Sequence, residues 1–404
     1  MLEDLLNKDL WQEFLRRKVE NEFIGTREKA FWKEYVDLET YRPVCEGICE
    51  GRYSFSVPSK HLITKNSSGK KRIVYTFSSE EMVILKYLAF LLYRYDYLFS
   101  NNLYSFRKGI GVKTAVSFLS RTRDVGRMYG YKLDVSSYFN SIDPSILLSS
   151  LKECIDEDLF VLLATLLEDD RVCYRGEIIK ETKGAMPGTP ISNFLANFYL
   201  KDLDHYFWEQ KVVYLRYADD ILLFAHTAEE RKDYAEYLKD YLHSTNLSIN
   251  PEKESWITPG NPFDFLGFSF AGKNVDISSH SVEKIKGKIS RKARALRRWF
   301  IAKELSPDAA LKAMNRIFNS KFYGQDSSEM SWQYWYFPYI TTASRLHEID
   351  AYMQQYQRYI VTGRHYKMNF AYCPYDRLKS CGYKPLVPAY YAFREEEKEV
   401  QLTQ

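Results

Sequence analysis

The chain has 404 residues, of which 45% are hydrophobic and 27% are charged, and its formal net charge is +4. This length and this apolar content exclude a wholly disordered chain and predict two or three domain-sized units. The longest apolar run, YLAFLLYR at residues 87–94, is far shorter than the roughly 20 residues of a membrane-spanning helix. The acidic start of the chain predicts an amphipathic helix rather than a signal peptide. We therefore expect a cytoplasmic protein with no membrane partner.

The charge is unevenly distributed along the chain. Residues 281–404 hold 21 Lys and Arg against 12 Asp and Glu, a surplus of nine, which leaves the first 280 residues at minus five. A basic end beside an acidic remainder favours a polyanionic partner that is bound by that end. A solvated helix face is the alternative explanation.

The middle of the chain alternates predicted strands and helices. Residues 130–143, GYKLDVSSYFNSID, predict a strand up to Asp134 and then a turn that begins a helix. A Gly- and Pro-rich loop at residues 183–190 opens an apolar helix. Residues 212–225, VVYLRYADDILLFA, predict a β-hairpin with two aspartates at its tip.

Caps and apolar spacing predict three further helices. A capping box of Thr227 and Glu230 precedes a helix whose inward positions are Ala235, Leu238 and Leu242. Residues 281–303 predict a helix with nine basic residues and one acid, whose positions to bury are Ile285, Ile289, Leu296 and Trp299. The last helix has Ser306 as N-cap and Pro307 at its first position, ends at Gly324, and has one apolar face formed by Leu311, Met314 and Phe318.

The six cysteines form no CxxC pair, so the sequence predicts neither a zinc site nor a disulfide framework. Cys373 and Cys381 with His365 are a weak metal pattern. We interpret all six cysteines as reduced thiols.

Three aspartates predict a metal site. Strands that end at Asp134 and at Asp219 and Asp220 can lie side by side in one sheet, which would bring their carboxylates together. A buried carboxylate without a counter-charge costs roughly several kcal/mol, so a cation is expected there. Oxygen ligands without His or Cys favour Mg²⁺, with Mn²⁺ as an alternative, over zinc. Two such ions would suit in-line phosphoryl transfer, one activating the nucleophile and one holding the leaving pyrophosphate.

The motifs, taken in their order along the chain, resemble those of reverse transcriptases. A single YxDD would be a weak signal, but seven segments in family order are specific. The matching segments are KNSSGKKRIVYTF (65–77), YSFRKGIGVKTAV (104–116), the strand before Asp134, the G-x-x-x-G-x-P loop (184–190), YADD (217–220), LSINPEKES (247–255) and FDFLGFSF (263–270).

The resemblance implies an α+β right-hand polymerase fold. Its parts would be fingers, a palm with an antiparallel ferredoxin-like sheet, and a helical thumb. The expected domains are 1–124 for an N-terminal extension and fingers, 125–278 for the palm with some fingers residues between its first two motifs, and 279–404 for the basic thumb and C-terminal region.

The resemblance also implies the catalytic residues. Asp134 and Asp219 would bind the two metal ions, with Asp220 in support and the backbone carbonyl of Val135 as an extra ligand. Lys253 matches a lysine proposed to protonate pyrophosphate, and a solvated helix-end lysine is the alternative.

Substrate contacts are implied in the fingers and the palm. Phe139, five residues after Asp134, matches the steric gate that excludes a ribose 2′-hydroxyl and so selects dNTPs, and an ordinary core Phe is the alternative. Tyr217 of YADD is also assigned to the substrate. Lys70 and Arg72 would bind the triphosphate, although the choice among Lys65, Lys70 and Lys71 is open. Arg107 would support the fingers or the template, with a plain surface role as the alternative.

The basic helix would contact the phosphates of the primer-template duplex. Its expected nucleic-acid-binding residues are Lys284, Lys288, Arg291, Arg294 and Arg298. The aromatic segment SWQYWYFPYI at residues 331–340 could stack on single-stranded RNA bases or form core.

One segment departs from the family pattern. Most relatives carry a PQG triplet where this chain has Met186, Pro187 and Gly188, so a proline replaces the glutamine. The usual contact to the template and the incoming base is therefore in doubt. Pro190 and Ser192 do match, so the following helix is expected to pack normally.

The expected function is RNA-directed DNA synthesis with dNTPs, an RNA template and an RNA/DNA duplex product. CGYKPLVPAYY at residues 381–391 resembles bacterial reverse transcriptases of the unknown-group, defence-associated kind, which implies antiphage defence with a non-coding RNA as template. Untemplated or protein-primed synthesis, a retron-type enzyme and a non-catalytic RNA-binding scaffold are the alternatives. The retron-like VTG at residues 361–363 has no NAxxH partner and lies about a hundred residues past LGF. Assembly into a homo-oligomer is left open.

Overall fold

The computed structural model describes residues 2–20, 24–64, 71–324 and 331–403. The chain divides into two compact units. The first consists of residues 1–115 and 127–259, and the second of residues 116–126 and 260–404. Within the described ranges, none of the helices has the length and apolar character that a bilayer crossing requires.

The described α-helices, in chain order, are α1 (Lys8–Glu20), α2 (Thr26–Asp37), α3 (Arg42–Cys49), α4 (Ser79–Leu92), α5 (Val112–Arg121), α6 (Tyr138–Ser141), α7 (Pro144–Lys152), α8 (Glu157–Glu168), α9 (Ser192–Tyr199), α10 (Lys201–Glu209), α11 (Ala228–Ser244), α12 (Ser279–Ala302), α13 (Pro307–Tyr323), α14 (Trp332–Tyr336), α15 (Ser344–Thr362), α16 (Asn369–Tyr372), α17 (Tyr375–Ser380) and α18 (Leu386–Thr403). Short 3₁₀ helices cover Leu2–Leu6, Tyr93–Leu98, Val125–Arg127 and Pro251–Lys253.

The described strands are β1 (Ser59–Thr64), β2 (Lys71–Thr76), β3 (Tyr129–Asp134), β4 (Arg171–Tyr174), β5 (Glu177–Lys180), β6 (Val213–Tyr217), β7 (Asp220–Ala225), β8 (Ser255–Ile257), β9 (Phe263–Phe265), β10 (Phe268–Ala271) and β11 (Asn274–Ile277). They form sheets in the orders β6-β7-β3-β8, β2-β1-β4-β5 and β11-β10-β9.

The antiparallel sheet β6-β7-β3-β8 is the centre of the first unit. Helices α10 and α11 pack against it, and the main hydrophobic core joins its inner face to those helices. The predicted strand end at Asp134 and the predicted hairpin are confirmed. The capping box is confirmed as well, because the Thr227 hydroxyl accepts from the Glu230 N–H and the Glu230 carboxylate accepts from the Thr227 N–H.

The second sheet of this unit is built on the β1-β2 hairpin of the expected fingers. Ser59 pairs with Thr76 across the hairpin and with Cys173 of the parallel strand β4. The segment between the two hairpin strands, residues 65–70, lies outside the described residues, so the expected triphosphate contacts of Lys65 and Lys70 have no structural description.

The N-terminal helices form a second core with α4, in which six of the fifteen buried residues are aromatic. The Trp11 indole stacks between Tyr41 and Tyr87, with ring centroids at 4.1 and 3.7 Å. Helix α4 begins with a capping box of Ser78 and Glu81. The buried Glu81 carboxylate also accepts hydrogen bonds from the backbone and hydroxyl of Ser56, which fixes the chain just ahead of β1.

The second unit has a three-stranded antiparallel sheet and the basic helix α12. Ile285 and Ile289 of α12 are buried as predicted, but Trp299 is 41% exposed, so the prediction that it is buried is wrong. The buried stripe runs through Ala293 to Phe300, seven residues or about two turns later, and Trp299 lies about 100° away from it.

Helix α13 is confirmed with its caps, since Ser306 accepts from the Ala309 N–H, Pro307 is at the first position, and Gly324 ends the helix with a positive φ of 69°. Its predicted inward positions, Leu311, Met314 and Phe318, are buried. All six cysteines are free thiols. Burial raises the pKa of the Cys45 thiol to about 12, which fits an unreactive core position.

Candidate active site

The three aspartates meet where β3 ends and β7 begins. Asp134 and Asp220 are register partners on the two antiparallel strands, which places their Cα atoms about 4.5–5.5 Å apart with side chains on one face. Asp219 occupies the turn just before β7, and its carbonyl accepts a 2.9 Å hydrogen bond from the Val135 N–H. The two chain segments are thus joined at the tip by backbone contacts.

The carboxylates repel one another in a partly buried position. Burial, and then the negative charge of Asp134, raise the pKa of Asp219, while the charges of Lys253 and Arg72 work in the opposite direction. Burial raises the pKa of Asp220 to about 6, with further upward contributions from Asp219 and Asp134. Like charges held this close favour a cation between them.

Two lysines supply part of that positive charge. Lys253 Nζ lies 2.5 Å from Asp134 Oδ2, although the lysine side chain is 54% exposed. Lys132 Nζ lies 3.4 Å from the buried Asp220 Oδ1 and forms an ion pair with it. Asp220 is therefore directed to Lys132, whereas Asp134 and Asp219 remain the two carboxylates next to each other at the tip.

A buried polar network lies behind the turn. Ala218 has a positive φ of 55°, and its N–H donates a 2.9 Å hydrogen bond to the Ser105 hydroxyl. The Ser105 hydroxyl in turn donates to Asn197 Oδ1 at 2.9 Å. The fully buried Arg216 guanidinium pairs with the fully buried Asp204 through Nε at 2.8 Å and a second nitrogen at 2.5 Å. The network fixes the backbone that carries Asp219.

An aromatic wall connects the expected steric gate to the hairpin. The Phe139 ring lies 6.1 Å from Phe106, and Phe106 lies 6.2 Å from Tyr217. The Phe139 carbonyl accepts a 2.8 Å hydrogen bond from the Ala185 N–H. A Cβ on Gly184 would come within 2.2 Å of the Phe139 carbonyl oxygen, so only glycine lets the loop approach this closely. Phe139 is partly exposed rather than a fully buried core residue.

The loop with the unusual proline contacts the fingers through its backbone. The Pro187 carbonyl accepts a 2.7 Å hydrogen bond from the Tyr75 N–H of β2. A Cβ on Gly188, which has a φ of 102°, would lie 2.7 Å from the Tyr75 carbonyl oxygen. Arg72 lies on the same strand, is exposed, and is close enough for its charge to act on Asp219.

Arg107 has a supporting position in this structure. Its guanidinium makes a two-point ion pair with Asp96, at 3.0 and 2.9 Å, and donates to the Ser100 carbonyl at 2.7 Å. Only 5% of the side chain is exposed, so the plain surface role is wrong. The donors are committed to the loop rather than offered to a substrate.

The residues at the tip fit a hard divalent cation. Their donors are carboxylate oxygens, and their mutual repulsion is what a cation would relieve. Among residues 2–20, 24–64, 71–324 and 331–403, no three His, Cys, Asp or Glu side chains are grouped closely enough to hold an ion by themselves. Mg²⁺ is commonly held by one or two carboxylates together with substrate phosphates, which is compatible with this arrangement.

In the second unit, α12 presents an exposed basic face. Lys284, Arg291, Arg294 and Arg298 are exposed, and Lys288 is half-buried. Within the aromatic segment 331–340, Tyr336, Phe337 and Ile340 are buried and Tyr334 is exposed. The segment is therefore divided between core residues and partly exposed ones.

Several residues of the site were missed in the sequence. Most of them lie far along the chain from the groups that they contact, and each belongs to the hairpin or to its surroundings. They are Ser105, Phe106, Lys132, Asn197, Asp204 and Arg216. One signal was available, because an arginine inside the apolar run YLRYADDILLFA requires a buried anionic partner.

Comparisons with known proteins give the family. A sequence model described as "Reverse transcriptase (RNA-dependent DNA polymerase)" matches residues 63–270, more than half of the chain. No curated protein sequence matches.

Among solved structures, the chain is similar to apo telomerase from Candida tropicalis truncated from its C-terminal domain, with 13% identity, a TM-score of 0.45 and coverage of 55% of both chains. It is also similar to telomerase from Candida albicans in complex with a TWJ fragment of telomeric RNA, with 12% identity, a TM-score of 0.44, and coverage of 89% of this chain and 70% of that one. The chain thus spans 55% of the length of the first of these proteins. From the family match, the chain belongs to the reverse transcriptases, a family of RNA-directed DNA polymerases that are nucleotidyltransferases using divalent metal ions, and it has the expected right-hand polymerase fold.

Proposed function

We propose that this protein is an RNA-directed DNA polymerase that extends a primer with dNTPs at the tip formed by Asp134 and Asp219. The observation that carries the proposal is the register pairing of β3 with β7, which brings two distant acidic motifs together at the end of one sheet. In this assignment residues 1–124 form the N-terminal extension and fingers, 125–278 the palm, and 279–404 the thumb and C-terminal region.

The aspartates at the tip would bind the catalytic metal ions. Asp134 and Asp219, with the Val135 carbonyl, would hold divalent cations, for which we propose two Mg²⁺ ions with Mn²⁺ as a substitute. When bound, these ions activate the primer hydroxyl and stabilise the charge on the leaving pyrophosphate. Asp220, which faces Lys132, would support the strand rather than act as a full ligand.

Other residues would bind and select the nucleotide. Arg72 places positive charge near Asp219, where it would bind the triphosphate, and Lys70 is proposed for the same task. Phe139 and Tyr217 lie at the two ends of the aromatic wall through Phe106. There Phe139 would exclude a ribose 2′-hydroxyl.

Lys253 is proposed as the proton donor to the leaving pyrophosphate. Its ammonium group now pairs with Asp134, yet more than half of its side chain is exposed. If Asp134 holds a cation instead of this ammonium group, Lys253 Nζ would be available to give a proton to the pyrophosphate.

The proposal is tested with purified protein, a homopolymer RNA template, a DNA primer and labelled dTTP. Wild-type protein should extend the primer, and Asp219→Ala should not, while both should bind the RNA. RNA binding without synthesis by the wild type would instead indicate a non-catalytic scaffold.

The template is proposed to be a non-coding RNA, in bacterial antiphage defence. This part rests on the resemblance of residues 381–391 to defence-associated enzymes. Sequencing the nucleic acid that copurifies with the protein tests it: complementary DNA of one defined RNA supports the proposal. Homopolymer joined covalently to a tyrosine would indicate protein-primed, untemplated synthesis instead.

A further inference from the structure

The second unit contains a basic cavity between three helices. It has a volume of about 210 Å³. Its polar and aromatic lining consists of Ser281, Lys284 and Lys288 from α12, Lys321 from α13, and Trp332 and Tyr336 from α14. None of the described residues that line it is acidic.

The three lysines have no acidic partner within 4 Å among the residues that the structure describes. Lys286, on the same helix, differs because it pairs with both Glu283 and Glu348. Lys284 and Lys288 are one turn apart, so their side chains leave the same face of α12. Burial, and then the charges of Lys321, Lys284 and Arg291, lower the pKa of Lys288. The cavity thus concentrates positive charge that nothing in the described chain neutralises.

The remaining wall is aromatic. The Trp332 ring lies 4.8 Å from Tyr336 and 5.9 Å from Phe322, so its position is fixed by neighbouring rings, yet it stays partly exposed. Cations beside a partly exposed indole suit a nucleotide, whose phosphate binds lysines and whose base stacks on aromatic rings. The volume is smaller than that of the usual pocket for a drug-sized ligand, which fits one phosphate group better than a whole cofactor.

We propose that this cavity binds a single phosphate of a nucleic-acid strand, with the attached nucleotide against Trp332. This cavity proposal rests on the proposed polymerase function in one respect, that the protein binds nucleic acid as its substrate. It differs from the exposed row of Arg291, Arg294 and Arg298, which would contact successive phosphates along a duplex. The phosphate could be an internal diester or a terminal 5′-monoester, since both offer the oxygens that the three lysines would bind.

The test compares two double variants of the full chain. Lys288→Gln with Lys321→Gln removes two charges from the cavity. Lys292→Gln with Lys312→Gln removes two exposed charges from the same two helices, outside the cavity lining. Binding of a fluorescent primer-template is measured by anisotropy at several salt concentrations, with 5′-phosphate and 5′-hydroxyl forms of each strand in separate arms.

We expect the cavity variant to bind at least about tenfold more weakly than the control variant. Its salt slope should fall by no more than about one, because the three lysines share one phosphate and Lys284 remains, whereas two separate backbone contacts would lower the slope by about two. A loss confined to one 5′-phosphorylated strand would identify the terminal monoester. Equal weakening of both double variants, or a slope change of two, would overturn the proposal.

Two further measurements keep the outcomes separate. Inorganic phosphate should change the tryptophan fluorescence of the wild type and not that of Trp332→Phe. Asp219→Ala should keep the binding that the cavity variant loses. If the wild type makes no DNA while the cavity variant still loses binding, the proposed polymerase function fails and the cavity proposal stands. If the wild type makes DNA and the cavity variant binds nucleic acid as well as the control does, the polymerase function stands and the cavity proposal fails.

Discussion

Ser105→Ala tests whether the buried network positions the catalytic turn. The substitution removes two hydrogen bonds of 2.9 Å, one from the Ala218 N–H and one to Asn197 Oδ1. It leaves a buried donor and a buried acceptor without a partner, and each such orphan costs about 1–3 kcal/mol. We therefore expect the free energy of unfolding to fall by about 2–4 kcal/mol.

The effect on activity should exceed the effect of lost stability. Ala218 holds a positive φ of 55° next to Asp219, and without the Ser105 hydroxyl the turn can relax. A displacement of about 1 Å at a catalytic group costs on the order of 100-fold in rate. At a temperature where the variant is fully folded, kcat should fall about 10- to 100-fold, KM for dTTP should change little, and a higher Mg²⁺ concentration should be needed for half-maximal rate.

Tyr199→Phe is the matched control. It removes a buried hydroxyl that donates to the Thr245 carbonyl at 2.7 Å in the same unit and makes no hydrogen bond to Ser105 or Ala218 among those described. It should lower the melting temperature and leave kcat near wild type. Ser105→Thr, which keeps the hydroxyl, should restore much of kcat. If Ser105→Ala loses stability but keeps the wild-type kcat and Mg²⁺ dependence, the network has no positioning role.

Three other predictions concern Phe139, Gly188 and Glu81. Phe139→Val should raise incorporation of rNTPs relative to dNTPs by about 10- to 200-fold in single-nucleotide extension, and unchanged selectivity would remove the gate assignment. Gly188→Ala places a Cβ 2.7 Å from the Tyr75 carbonyl oxygen; a lower melting temperature and a higher KM for dNTP are expected, and wild-type values for both would show that the loop contact is dispensable. Burial tends to raise the pKa of Glu81, but hydrogen bonds from Ser56 and Ser78 outweigh it and lower the pKa below 4.5. The resulting stabilisation is present above pH 4.5 and is lost as the pH falls through the lower pKa of the folded state. The melting temperature of Glu81→Gln should therefore fall less than that of the wild type on acidification below pH 4.5, and equal falls would contradict this.

Much of the local structure could be predicted because its causes are local. The Thr227 capping box, the end of β3 at Asp134 and the YADD hairpin follow from short patterns of polar and apolar residues. The seven ordered segments were enough to identify the family and the fold. Trp299 is exposed because Phe300, one residue later, occupies the buried position on that face of the helix.

The rest depends on contacts that the sequence does not encode locally. Ser105 and Ala218 are 113 residues apart, and Ser105 and Asn197 are 92 apart. The Pro187 contact is made by a backbone carbonyl, so no side-chain pattern reports it. The motif identifies Arg107 as a residue of interest, but its ion pair with Asp96 depends on the conformation of the loop between them and could not be predicted.

The most direct measurement is primer extension on an RNA template by wild type and by Asp219→Asn, an isosteric change, across a Mg²⁺ titration. If Asp134 and Asp219 jointly bind the catalytic metal, the wild type extends the primer only with the metal present, and the variant loses at least about 1,000-fold in rate, roughly 4 kcal/mol of barrier, while remaining folded and bound to the template. Near-wild-type extension by Asp219→Asn would contradict the account.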